Sequence, residues 1–162
     1  MDVERFDEDG YPAEPYSEVI PGLFQASAAR PPAEMLSMFD VLIDVGGRDR
    51  WVGEPDPRYC FHPIEDVPYI VDAEMIHTVG ELIASLVRDG KHVAVNCLGG
   101  MNRSGLLIGR ALVELGYTPE EAIDAVRRAR GPMALGNPRF ERFLLECTPR
   151  ALARRRQLSL PL

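Results

Sequence analysis

The chain has 162 residues, 46% of them hydrophobic and 27% charged, with a formal net charge of −7; this is the length and balance of one ordinary globular domain. An acidic chain does not bind nucleic acid broadly through an overall basic surface, although a local group of donors still binds an anion. No apolar run approaches the ~18 residues of a membrane span, and the acidic start MDVERFDEDG lacks the basic region of a secretory or transit signal, so a cytoplasmic protein is the expectation.

Residues 1–18 read as an acidic, Pro-containing surface segment. Val19 to Ser27 predicts a short strand pair about the Pro21-Gly22 turn, and PPAEMLSMF a short helix opened by proline. DVLIDVGG (Asp40 to Gly47) is a compact apolar run stopped by glycines, the pattern of a buried strand. After a polar loop, Tyr59 to Ile64 predicts the next strand, broken by EDVP. From Asp72 to Arg88 the residues Met75, Ile76, Val79, Leu82, Ile83, Leu86 and Val87 recur at helical spacing, with Gly90 as the stop. HVAVNC is again a strand, and a helix follows from Ser104 to Leu115. Thr118-Pro119-Glu120-Glu121 caps another, reaching about Arg130, and Asn137-Pro138 caps a third with Phe140, Phe143 and Leu144 on one face.

Strands alternating with helices predict an α/β protein with a central, mostly parallel sheet flanked by helices. The domain occupies residues 19–150, and a basic, Leu-rich tail occupies 151–162. Ligands of such sheets bind beyond the C-terminal ends of strands, which is where Cys97 falls.

The segment CLGGMNRSG supplies the chemistry. Leu98, Gly99, Gly100, Met101 and Asn102 separate Cys97 from Arg103, a loop long enough to curl around a tetrahedral oxyanion with backbone N–H groups turned inward. Glycine permits the positive φ angles of such a curl. The helix starting near Arg103 adds free N–H groups and the positive end of its dipole, and the arginine fork binds two oxygens at once. The same field favours a thiolate, a nucleophile aimed at bound phosphorus. The three cysteines (Cys60, Cys97, Cys147) form no Cys-x-x-Cys, and the three histidines are dispersed. Neither a disulfide framework nor a metal site is expected, and no cofactor is called for.

CLGGMNRSG resembles the Cys-x5-Arg-Ser/Thr signature of the cysteine-dependent protein tyrosine phosphatase superfamily, most closely its compact dual-specificity branch. EVIPGLFQAS is similar to that branch's first strand and NPRFERFL to its closing helix. The resemblance implies that fold and metal-free hydrolysis of phosphomonoesters through a phosphocysteine on Cys97. It also implies a general acid about thirty residues before the cysteine. HPIEDVPYI offers Asp66, 31 residues upstream, with Glu65 and Asp72 as competitors. Ser104 matches the hydroxyl that helps the thiolate leave, and it also suits a helix cap. Asn137 matches a family asparagine near the site, and it too reads as a cap; Asn102 reads as a loop-edge donor or a turn residue. One departure is Asn96, where the family carries histidine; asparagine there is expected to bridge backbone groups.

The substrate implied is a phosphorylated protein, foremost phosphotyrosine with phosphoserine or phosphothreonine beside it, or a small phosphomonoester. A lysine-free loop is unlike the inositol-lipid members. MNRSG is also similar to the loop of RNA 5′-triphosphatases, and an oxyanion-loop cysteine occurs in rhodanese-like sulfurtransferases and suits a silent phosphate-binding module. Trp51 and Tyr69 are candidates to deepen an aromatic pocket, Arg127, Arg128 and Arg130 read as a solvated helix end, and Cys60 as a core residue or a resolving thiol. The tail hexapeptide Gln157-Leu158-Ser159-Leu160-Pro161-Leu162 resembles peptides that bind the replication sliding clamp.

Overall fold

A computed structural model describes residues 5–150. Five strands form one sheet: β1 (Tyr16–Ile20), β2 (Leu23–Ala26), β3 (Val41–Asp44), β4 (Tyr59–Phe61) and β5 (Val93–Asn96). Their order is β1-β2-β5-β3-β4, with β1 antiparallel to β2 and the other pairs parallel. The predicted turn joins β1 to β2 at Gly22, whose φ of +87° suits glycine. That pair starts at Tyr16 rather than Val19. β4 stops before Pro63, which has no N–H to continue the ladder, although His62 and Ile64 still donate to Asp44 and Val45.

β5 is central and buried along its whole length, so it must be apolar on both faces, as the sequence shows. Alternation sorts its neighbours. Leu23, Ile43, Val93, Val95 and Cys97 face one core, and Ala26, Leu42 and Ala94 face another with Met35, Leu36 and Phe39. The small core is closed by α1 (Pro32–Met35); the large one lies under α2 (Ala73–Arg88), α3 (Arg103–Glu114), α4 (Pro119–Arg130) and α5 (Pro138–Leu145). The result is the mostly parallel sheet with helices on both sides that the sequence predicts. Caps fall where the sequence sets them. Asp72 accepts the Met75 N–H, Thr118 and Glu121 form a reciprocal capping box, and Asn137 accepts the Arg139 N–H.

Ser104 to Glu114 of α3 are all buried, polar residues included. Arg110 is fully buried between α2 and α3, where its Nε donates to His77 Nδ1 at 2.8 Å and its Nη2 lies 2.9 Å from Glu114. Gly80 makes room for it, since a Cβ there would stand 2.6 Å from Arg110 Cγ.

The register corrects the resolving-thiol reading of Cys60. Cys60 lies opposite Ile43, and Ile43 opposite Val95. Two strand spacings, about 10 Å, therefore separate it from the row below Cys97, beyond the ~7 Å Cα reach of a disulfide. Cys60 is half-buried against the large core, and burial pushes its thiol up. Among the described residues all three cysteines are free, no cluster suits a metal ion, and no helix is long and apolar enough to cross a membrane. The Gln157–Leu162 hexapeptide lies outside the described residues.

Candidate active site

Cys97 follows directly on β5, its N–H donating to Ala26 O at 3.3 Å, and α3 begins six residues on at Arg103. The loop between them is turned by its carbonyls. Leu98 O accepts the Ala28 N–H at 3.0 Å, and Met101 O accepts the Leu135 N–H at 3.2 Å. Gly100 O accepts from both Gln25 Nε2 and Arg130 Nε, each at 3.0 Å. With these carbonyls held on the protein side, the N–H groups of Leu98 to Arg103 donate to no backbone carbonyl among the described residues. They form the donor set that an oxyanion needs. Gly100 makes the curl possible: its φ is +67°, and a Cβ would stand 2.6 Å from the backbone of Ala26.

Cys97 is only 2% exposed, yet it floors a cleft of about 590 Å³ that Leu98 and Arg103 also line. Arg103 Nε is buried without a hydrogen-bond partner, a donor awaiting an acceptor. Ser104, fully buried, places Oγ 3.3 Å from Cys97 Sγ. Because Gln25 Nε2 donates to that same Oγ at 3.2 Å, the serine proton is free to be donated to sulfur. Leu98 stands 73% exposed at the rim, while Met101 turns into the core. Gly99, like Leu98, is exposed.

Asp66 is brought to the loop from the β4–α2 connection. Its Oδ1 accepts from Asn137 Nδ2 at 2.9 Å and its Oδ2 from Asn102 Nδ2 at 3.1 Å. Asn137 also donates to Val67 O at 2.9 Å, so one side chain caps α5 and fixes the acid loop. The competing acids go elsewhere. Asp72 caps α2, and Glu65 lines a separate groove with Tyr69, Met75 and Phe140.

Several expectations need correction. Asn96 does not bridge the backbone, since neither of its side-chain polar atoms has a partner. It shares a row with Ala26 and Asp44 on the sheet face away from the loop. Gln25, opposite Val95 on the loop's face, does that bridging instead. Arg130 is not solvated: it is 1% exposed, with Nε on Gly100 O and Nη1 donating to Glu14 O at 3.0 Å and Ser17 Oγ at 3.2 Å. Burial lowers it to about 10, and the charge of Cys97 acts in the opposite direction. Arg127 likewise folds back on Ala134 O and Glu141. Trp51 stacks on Tyr59 at 5.2 Å, and Tyr69 belongs to the separate groove, so neither deepens the Cys97 cleft. Gln25 carried no sequence signal beyond being a polar residue in a strand of apolar ones.

No family model matches the chain. A tyrosine-protein phosphatase of Autographa californica nuclear polyhedrosis virus is 40% identical over 65 residues, which span 40% of this chain and 38% of the viral protein. Human DUSP28 superposes with a TM-score of 0.66 at 26% identity, covering 83% of this chain and 93% of that one. Tk-PTP in its active form does so with a TM-score of 0.65 over 83% of this chain and 97% of that one, at 21% identity, a likeness of fold. From these matches and a shared layout of sheet and helices, the chain belongs to the cysteine-dependent protein tyrosine phosphatase superfamily, in its compact dual-specificity branch.

Proposed function

We propose that the chain hydrolyses phosphomonoesters through a phosphocysteine on Cys97, with protein phosphotyrosine as the principal substrate class and phosphoserine or phosphothreonine beside it. The observation that carries this reading is the loop's polarity: carbonyls drawn inward by Gln25 and Arg130, amides left free, and Arg103 Nε without a partner. That donor set suits a dianionic phosphoryl group.

In the first step Cys97 Sγ attacks phosphorus, an S–P bond forms, and the P–O bond to the leaving group breaks. Arg103 and the 98–103 amides hold the three equatorial oxygens. Asp66, entering protonated, gives its proton to the leaving oxygen. In the second step water attacks phosphorus in line, Asp66 takes a proton from that water, and the S–P bond breaks. The Ser104 hydroxyl, 3.3 Å from Sγ, stabilises the departing thiolate. Asn102 and Asn137 hold the acid over the loop through both steps. The sequence calls for neither a metal ion nor an organic cofactor. Free thiols at Cys60, Cys97 and Cys147 fit a reducing compartment, and we place the protein in the cytoplasm.

The direct test is release of phosphate from a small aryl phosphate in the presence of chelator, followed by a phosphopeptide panel, with Cys97→Ser as control. No release from either, by a folded wild-type protein, overturns the reading.

A further inference from the structure

The Cys97 cleft extends well past the phosphate loop. Its wall opposite Leu98 is built by Gly46, Gly47, Arg48 and Arg50 from the β3–β4 connection. A second groove of about 430 Å³ shares Ala28, Arg48 and Arg50 with it and runs on past Pro31 and Trp51. The two arginines differ. Arg50 is a structural staple: its Nε donates to the buried Asp44 carboxylate at 3.1 Å, and its Nη1 donates to Ala28 O and Arg30 O, both at 3.2 Å. Its charge is met by Asp44, which also accepts the Tyr59 hydroxyl at 3.2 Å. Asp49, the other acid of this wall, turns back to accept the Trp51 N–H at 2.9 Å. Arg48 is exposed and, among the described residues, forms no ion pair or hydrogen bond. On a chain of net charge −7, an unpaired guanidinium where the catalytic cleft meets a second groove is a local reversal of sign.

We propose that this junction is a subsite for a second anionic group, and that the substrate is a phosphopeptide bearing an acidic or phosphorylated side chain next to the residue attacked by Cys97. The inference rests on the phosphatase reading and adds which phosphoproteins it selects. Successive residues of an extended peptide advance about 3.3 Å, so a neighbour of the bound phosphoresidue lies along the continuous groove and meets Arg48. Exposed Leu98 at the opposite rim offers apolar contact to the same peptide. Arginine suits the task because its planar fork takes a carboxylate or phosphate bidentately.

The experiment measures binding to the Cys97→Ser protein by calorimetry, using phosphotyrosine peptides of one length flanked by alanine, glutamate or phosphoserine. The glutamate peptide is expected to bind about threefold and the phosphoserine peptide about tenfold more tightly than the alanine peptide, with the gap narrowing at high salt. Arg48→Ala is expected to erase most of that discrimination and Arg48→Lys to keep part of it. Lys91→Ala, the same change of charge at the other end of β5, is expected to leave it. Equal binding of the three peptides, no binding of any, or equal effects of the Arg48 and Lys91 substitutions would overturn the proposal. Inorganic triphosphate outcompeting every peptide would overturn it too, by moving the ligand to a small polyphosphate. A wild-type protein inert toward aryl phosphate while the preference persists would sink the phosphatase reading and leave the subsite standing.

Discussion

Arg130 Nε donates to the carbonyl oxygen of Gly100 at 3.0 Å from the buried side of the loop, the side opposite the free amides. A guanidinium almost wholly out of water thus sets which way a catalytic peptide unit points. Arg130→Ala would leave that carbonyl with one donor fewer and empty a large buried volume. We expect a loss of about 1–3 kcal/mol of stability and a weakening of inorganic phosphate binding of about tenfold or more, with Arg130→Lys recovering part of each. Thermal melts and phosphate titrations read the two effects, and unchanged phosphate affinity would separate Arg130 from the site.

Cys97→Ser is expected to abolish turnover and keep phosphate binding, because the amides and Arg103 remain. Asp66→Asn is expected to slow hydrolysis of a poor leaving group by ~10² to 10⁴ at neutral pH, and less for an aryl phosphate whose phenoxide leaves unaided. Full activity of Asp66→Asn on an alkyl phosphate would reassign the acid.

Ser104→Ala removes the hydroxyl 3.3 Å from the sulfur and should act on the second step alone. Rapid-mixing kinetics should then show a burst of released phenol followed by slow turnover, the mark of an accumulating intermediate. A uniform slowing without a burst would place Ser104 in the first step.

Gln25→Leu keeps the volume but strips the donor that serves Gly100 O, Met101 O and Ser104 Oγ. Lost satisfaction of buried acceptors should cost about 1–3 kcal/mol, and the freed loop should bind phosphate more weakly. An unaltered melting temperature would show that other donors take over.

His77 gives a pH dependence away from the cleft. Burial first, then the positive charges of Arg110 and Arg150, hold its pKa below the usual 6.5, against an opposite pull from Glu74 and Glu81. The unfolded chain therefore takes up the proton more readily than the folded one. Stability is complete above pH ~6.5 and falls as the pH drops toward the folded value. Protonation also sets a cation against Arg110 Nε, which now donates to that ring. A melting temperature that falls between pH 7 and 5.5 less steeply in His77→Gln than in wild type is the expected result; identical slopes would remove His77 from the account.

The fold was legible because its signals are local. Helical spacing between Asp72 and Arg88, the Thr118 and Asn137 caps and the apolar β5 each announce an element within a dozen residues. Cys97, Arg103, Ser104 and Asp66 were visible for a related reason, since their motif is nearly contiguous or fixed in offset. Gln25 and Arg130 were not visible. One lies 75 residues before its partner Gly100 and the other 30 after it, and only the pairing of β2 with β5 and the return of α4 bring them to the loop. Asn96 misled for a geometric reason: periodicity says that Asn96 and Cys97 face opposite sides of the sheet, but not which side the loop curls toward.

One contact of Arg130 reaches in a different direction, to the carbonyl of Glu14 and the hydroxyl of Ser17. The stretch ahead of the first strand, which a protein engineer would trim as a dispensable leader, is the outer anchor of a brace whose inner end is the reacting loop. Shortening the chain to Tyr16 should therefore lower turnover without touching a single reacting atom.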